Sequence, residues 1–254
     1  MSSEKSFDSA VGNPRGGATA EHPEAGTTEA TVSIALDHFA REGFEGAKLE
    51  AIARDSGMSK RMIHYHFGDK KGLYQQAVIT AMGRLHVPEE AFQVDSAVPV
   101  EGIRSLVDAI FRQFILHPDS LRLVVAENLQ NILRMDEIPP LIDESGLKLR
   151  LDRLLLTGQD AGAFRPGISA DDLIALISAL PFYRLSSGMQ TRNLFGIDFG
   201  AEENIAGMHR MTVDTVLAFL TSNIPDSGQS SYLTPMESTT QAQTSMSIYA
   251  DEDF

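Results

Sequence analysis

The chain has 254 residues, 43% of them hydrophobic, enough for one large domain or two modest ones with real cores. It contains no cysteine, which excludes disulfides, thiolate metal sites and cysteine nucleophiles and suits a reducing compartment. The formal net charge of -14 is spread unevenly: residues 48–84 carry seven basic and three acidic side chains, residues 87–254 carry 11 and 24, so a polyanion would be drawn to one small island and repelled by the rest.

Residues 1–26 are rich in Gly, Ser, Pro and Ala without periodicity and are expected to form a disordered arm. They hold no apolar run of signal-peptide type, and no stretch of about 18 uncharged apolar residues follows, so a cytoplasmic protein without a membrane partner is expected. The first predicted helix, Thr28 to Glu42, has an apolar stripe of Val32, Leu36, Phe39 and Ala40, with Gly43 placed to end it. A short helix from Lys48 to Asp55 buries Leu49, Ile52 and Ala53. Gly57 breaks the pattern, and Ser59 is placed to cap a third helix, Lys60 to Phe67, by accepting an orphan amide hydrogen at its start. After Gly68 and Asp69 a longer helix runs through Leu73, Tyr74, Val78 and Met82 until Pro88.

Two helices joined by a short Gly-containing turn, the second brief and basic, form a helix-turn-helix. Such a second helix has to stand proud of the body to enter a major groove about 12 Å wide. Ile63 and Phe67, four apart, share the buried face, which leaves Lys60, Arg61, His64 and Tyr65 outward. A metal site on His64 and His66 fails on the same geometry: residues two apart on a helix point roughly 200° away from each other.

Further on, Ile103, Leu106, Val107, Ile110, Phe111, Phe114 and Ile115 mark another helix, and helical runs follow at about 119–134, 139–160, 169–187 and 203–222. The last 30 residues, 225–254, read as a disordered acidic tail. With helical spacing nearly everywhere and no convincing strand alternation, an all-α protein is expected. Within its apolar helices, Glu127, Asn128 and Tyr183 are polar candidates for orienting a bound small molecule.

The stretch from Thr31 to Val78 resembles the DNA-binding domain of TetR-type transcriptional regulators. The positions that carry the resemblance are Phe39, Gly43, Phe44, Ile52, Ala53, Gly57 to Ser59, Ile63, Tyr65 to Phe67, Lys70 and Leu73. It implies an N-terminal three-helix reading head, residues 27–86 with the helix-turn-helix at about 48–67, and a larger helical bundle, 87–224, that binds a small molecule and forms a homodimer. It further implies that Lys60, Arg61, Met62 and Tyr65 face base edges of operator DNA, while Lys48, His64, His66 and Lys70 hold the phosphate backbone, and Ser59, which starts the reading helix, belongs to the same DNA-binding set. Two positions depart from the usual pattern. Lys48 stands where Thr usually starts the second helix, so a cap is lost, and His64 stands where Tyr usually touches a phosphate; a histidine can donate there too, with a charge that changes near neutral pH.

The function so implied is a homodimeric repressor released from operator double-stranded DNA by an unknown small-molecule effector, with no cofactor, metal or catalytic residue. An enzyme is a poorer match, since no Gly-rich phosphate loop or nucleophile elbow appears, and Asp171 and Asp172 are explained as acidic residues favourable at a helix start. An architectural or partner-binding helical protein, its basic island meeting an acidic protein, remains the alternative.

Overall fold

The computed structural model describes residues 24–88, 91, 98–138, 146–225 and 228–233. Among them every regular element is helical: α1 (Thr28–Gly46), α2 (Leu49–Ser56), α3 (Lys60–Phe67), α4 (Lys70–Leu85), α5 (Pro99–Leu116), α6 (Pro118–Gln130), a 3-10 turn (Met135–Glu137), α7 (Leu147–Asp160), α8 (Ala170–Phe195) and α9 (Glu202–Thr221). The chain separates into two compact units whose boundary falls between Thr80 and Ala81, inside α4, rather than at the loop after it.

The first unit forms around side chains that its helical periodicity turns inward. Leu36, Phe39, Ile52, Ile63, Leu73, Ala77 and Val78 are buried. Tyr74 meets Phe39 edge-on at 4.9 Å and Phe44 at 5.0 Å, so α4 and α1 close on one aromatic cluster. Thr27 caps α1 by accepting from the Ala30 amide at 3.2 Å. Gly43, at φ 73°, breaks α1 where an L side chain would be strained, so its regular part ends at Glu42 as the sequence predicts. The residues before α1 are not wholly free, since the Gly26 amide donates to the Ser56 carbonyl at 2.9 Å. Residues 1–23 lie outside the described ones.

The second unit is built on α5, whose Ile103, Leu106, Val107, Ile110, Phe111 and Phe114 are buried; Pro99 starts the helix where its missing amide hydrogen costs nothing. α5 packs against α7, α8 and α9, and α8 packs against α6, α7 and α9. The core they share includes Val87, Leu121, Leu151, Leu155, Leu173, Ile177, Val216 and Leu220.

The boundaries differ from the sequence reading in informative ways. α6 stops at Gln130, because Asn131 takes the left-handed conformation at φ 50° that its short amide tolerates. Of the run expected at 139–160, residues 139–145 lie outside the described ones and a helix occupies Leu147–Asp160. α8 passes the expected end at 187 and reaches Phe195; the hydroxyls of Ser186 and Thr191 fold back on the Phe182 and Ser187 carbonyls, at 2.9 and 3.0 Å, so polar residues there do not break the helix. The expectation of an unstructured tail from 225 fails at residues 228–233, which lie along the start of α8. There the Tyr232 and Leu233 amides and the Ser231 hydroxyl converge on Asp172 at 2.9–3.1 Å. Arg165 fastens the same strap: it donates to the Phe219 carbonyl and the Tyr232 hydroxyl, both at 3.0 Å, and stacks on the Phe219 ring.

Candidate nucleic-acid interface

The interface starts with the turn between α2 and α3. Gly57, at φ 74° and ψ 3°, ends α2 in the left-handed conformation, and buried Met58 takes a weak bond from the Thr31 hydroxyl at 3.6 Å while its amide donates to Ser56 Oγ at 3.3 Å. Ser59 then caps α3, accepting from the Met62 amide at 3.2 Å. Ile63 is fully buried, which contributes about 2–3 kcal/mol. These contacts fix α3 from behind, so its opposite face needs no role in the core.

On that face Lys60, Arg61, Met62, His64, Tyr65 and His66 are all exposed; Tyr65 keeps 79% of its surface and Met62 42%. Tyr65 and His66 meet edge to face at 5.2 Å. Arg61 makes no ion pair or hydrogen bond among the described residues. Lys60 is already engaged by Glu50 of α2, and this contact, before any other cause, holds the Glu50 carboxyl below its ordinary range. His64 is turned toward its own helix end: Nδ1 lies 2.8 Å from the Gly68 carbonyl, so Nδ1 carries the donated proton and only Nε2 is left for another partner. Lys48 stands exposed at the start of α2 without capping it, in keeping with the lost threonine. Lys70 donates to the Glu45 carbonyl at 3.1 Å and lies 4.9 Å over the Phe44 ring, which aims it along the end of α1.

Glu50 was not singled out by the sequence reading, although an acid within a basic island is a visible signal. Nor was His38, buried between Glu42 and Asp55 with each ring nitrogen 2.8 Å from a carboxylate; it ties α1 to α2, and Arg54 and His38 together hold the Asp55 carboxyl low.

The three polar candidates in the bundle separate. Glu127 is buried, but its carboxylate accepts from the Leu133 amide at 2.9 Å and so closes the turn after α6. Asn128, about 100° further round the helix, falls on the exposed face. Tyr183 is 41% exposed and packs on Phe199, sharing the outward face of α8 with Ala175 and Ala179. The corrected picture leaves Glu127 as the inward member of the set. An open apolar groove of roughly 340 Å³ lies elsewhere, between α8 and α9, lined by Ala175, Leu176, Thr215, Phe219 and Tyr232.

Two sequence families match this chain: residues 32–77 match "Bacterial regulatory proteins, tetR family", and residues 99–216 match "Tetracyclin repressor-like, C-terminal domain", together more than half of its length. The chain belongs to the TetR family of transcriptional regulators. Among its relatives, the HTH-type transcriptional repressor NicS of Pseudomonas putida is 25% identical over 178 residues, 70% of this chain and 84% of that one. The HTH-type transcriptional repressor SCO4008 of Streptomyces coelicolor is 26% identical over 179 residues, 70% and 87% of the two chains. The crystal structure of the transcriptional regulator FadR from Bacillus subtilis in complex with stearoyl-CoA has the same fold, with a TM-score of 0.53 and 15% identity over 75% of this chain and 97% of that one. The helix-turn-helix of a TetR-family regulator is thus α2 and α3, and the unit from Ala81 onward corresponds to the family's C-terminal domain. No helix among the described residues is long and apolar enough to cross a membrane.

Proposed function

We propose that this TetR-family chain is a homodimeric repressor that reads operator DNA with α3 and leaves it when a small molecule binds in the helical bundle. The observation that carries this reading is the outward face of α3: a base-sized row of Lys60, Arg61, Met62 and Tyr65 on a helix held from behind by Ile63 and capped by Ser59. In it, Arg61 is the base reader, because it is uncommitted and its planar fork matches the acceptor pair of guanine. Lys48, His64 through Nε2, His66 and Lys70 set the register on phosphates. Dimerisation is assigned to the outward faces of α8 and α9, where Ala175, Ala179, Ser186, Thr215 and Ala218 are exposed and small enough for close helix approach. The names of the NicS and SCO4008 relatives support repression rather than activation.

The test compares an operator duplex with random duplex. Arg61→Ala weakens operator binding about 5- to 150-fold and leaves random binding little changed, whereas Lys70→Ala weakens both alike and lowers the salt slope by about one. Equal losses for Arg61→Ala on both duplexes would remove it from base reading. In the same series Ala179→Arg yields monomers by sedimentation; a dimer that persists refutes the assigned faces.

A further inference from the structure

The side of α8 that turns into the bundle recurs every three or four residues through Leu173, Ile177, Pro181, Arg184, Gly188 and Thr191. A guanidinium is out of place in that stripe. Arg184 Nε is buried with no hydrogen-bond partner, and it is the only buried side-chain nitrogen or oxygen left so among the described residues. The rest of the side chain is half-buried, but leaving even one enclosed donor of a guanidinium unpaired is costly, and native chains retain such a group where something else completes it. No acid among the described residues does so. Glu127 on α6, the helix packed against α8 here, is spent on the Leu133 amide, and Asp119 is held by Arg122 at 2.6 Å. Burial first, and then the like charge of Arg122, disfavour the charged form of Arg184, so the locality is short of negative charge. It also has room: one turn beyond Arg184 in the same stripe, a Cβ placed on Gly188 would meet nothing within 4 Å.

We infer that Arg184 is the anion-binding residue of the effector site, receiving the oxyanion of a small organic acid on the fork of its guanidinium while the apolar body of the ligand occupies the space beside Gly188. This deepens the reading of the bundle as an effector-binding half and rests on it. Arg122, exposed on α6 and paired with Asp119, still opposes the charge of Arg184, and a bound anion offsets that opposition. Neutral molecules of the same shape leave the Nε charge unmet and bind poorly. Carboxylates and phosphate monoesters share the required chemistry, and the experiment separates them.

Full-length protein is unfolded thermally alone and with millimolar hexanoate, octanoate, benzoate or octyl phosphate, against hexanamide, octan-1-ol and benzamide as neutral counterparts. At least one acid raises the melting temperature by about 3 °C or more, and its neutral counterpart does not. Calorimetry with that acid shows binding at least tenfold weaker in Arg184→Gln and Arg184→Leu. Without ligand, Arg184→Leu melts no lower than the original chain, because it removes a half-buried guanidinium whose enclosed Nε has no partner; if that variant does not fold, Arg184→Gln serves for the same comparison. The octanoate and octyl phosphate arms decide which oxyanion the fork prefers. The inference is overturned if no acid shifts the original chain, if neutral counterparts protect equally, or if the acid protects the Arg184 variants as well. Binding that depends on Arg184 but leaves operator affinity unchanged upholds the anion site and instead overturns ligand-controlled release.

Discussion

Replacing Asp172 by alanine tests how the second unit is held together. The carboxylate accepts from four donors: the Ser169 amide at 2.9 Å, the Leu233 amide at 2.9 Å, and the Tyr232 amide and Ser231 hydroxyl at 3.1 Å. Hydrogen bonds to a charged acceptor contribute about 1.5–3 kcal/mol each when deleted singly, but the strap donors are free to swing into water once released. The loss at the cap of α8 alone is about 1 kcal/mol, and adding a partly compensated strap gives an expected cost of about 2–4 kcal/mol. For a chain of this size that lowers the melting temperature by about 4–16 °C, read by calorimetry, with faster proteolytic cutting within residues 228–233 as the independent sign of strap release. The effect has a definite pH dependence. Burial alone would raise the Asp172 carboxyl, but the donated hydrogen bonds of Ser169, Tyr232 and Ser231 outweigh it and the group sits below its ordinary range. A depressed acid contributes stability that is complete above about pH 4, its unfolded value, and is lost as pH falls through the folded one, so Asp172→Ala and the original chain converge in acid. A cost below about 0.5 kcal/mol at neutral pH with unchanged strap proteolysis would refute the reasoning.

Three further outcomes follow from particular contacts. Glu50→Gln releases Lys60 from its ion pair and removes a negative charge facing the phosphates; binding to any duplex tightens and the salt slope steepens by about one, whereas unchanged binding would show that Lys60 does not reach DNA. His117, between α5 and α6, is held below its ordinary range by burial and then by Arg84. A depressed base costs nothing above its unfolded value and destabilises as pH falls below it, so the second unit loses stability between about pH 7 and pH 5, and urea titrations of His117→Gln should show a shallower loss. Gly158→Ala would place a Cβ 1.9 Å from a ring carbon of buried Phe164. Overpacking at about 1–3 kcal/mol outweighs the gain of up to about 1 kcal/mol in helix propensity, and a variant more stable than the original would contradict the close packing of that ring on α7.

The local grammar of the chain determined much of what the reading head is. Ile63 and Phe67 four apart, Gly57 before Ser59, and the run of bulky residues from Ile103 to Phe114 are patterns within one or two turns, and backbone geometry converts such patterns into helices, caps and inward stripes, although Phe67, at the end of its helix, is only half-buried where Ile63 is fully so. The exposed row from Lys60 to Tyr65 was legible for the same reason, since it is what the buried side leaves over. Side-chain commitments were not legible, because they depend on partners brought close only by folding. Lys60 and Glu50 are ten residues apart and belong to different helices; Glu127 and Asn128 are neighbours that face opposite environments; Asp172, which as sequence is an ordinary acid at a helix start, gathers donors from a strap 59 to 61 residues away. Arg184 is the plainest case. Its place in the inward stripe of α8 can be counted from the sequence, but only the packing of α6 against α8 decides that its Nε is enclosed and that no acid among the described residues pairs with it. Periodicity assigns a residue to a face, while the charge balance of that face is set by whichever distant residues the tertiary fold brings against it.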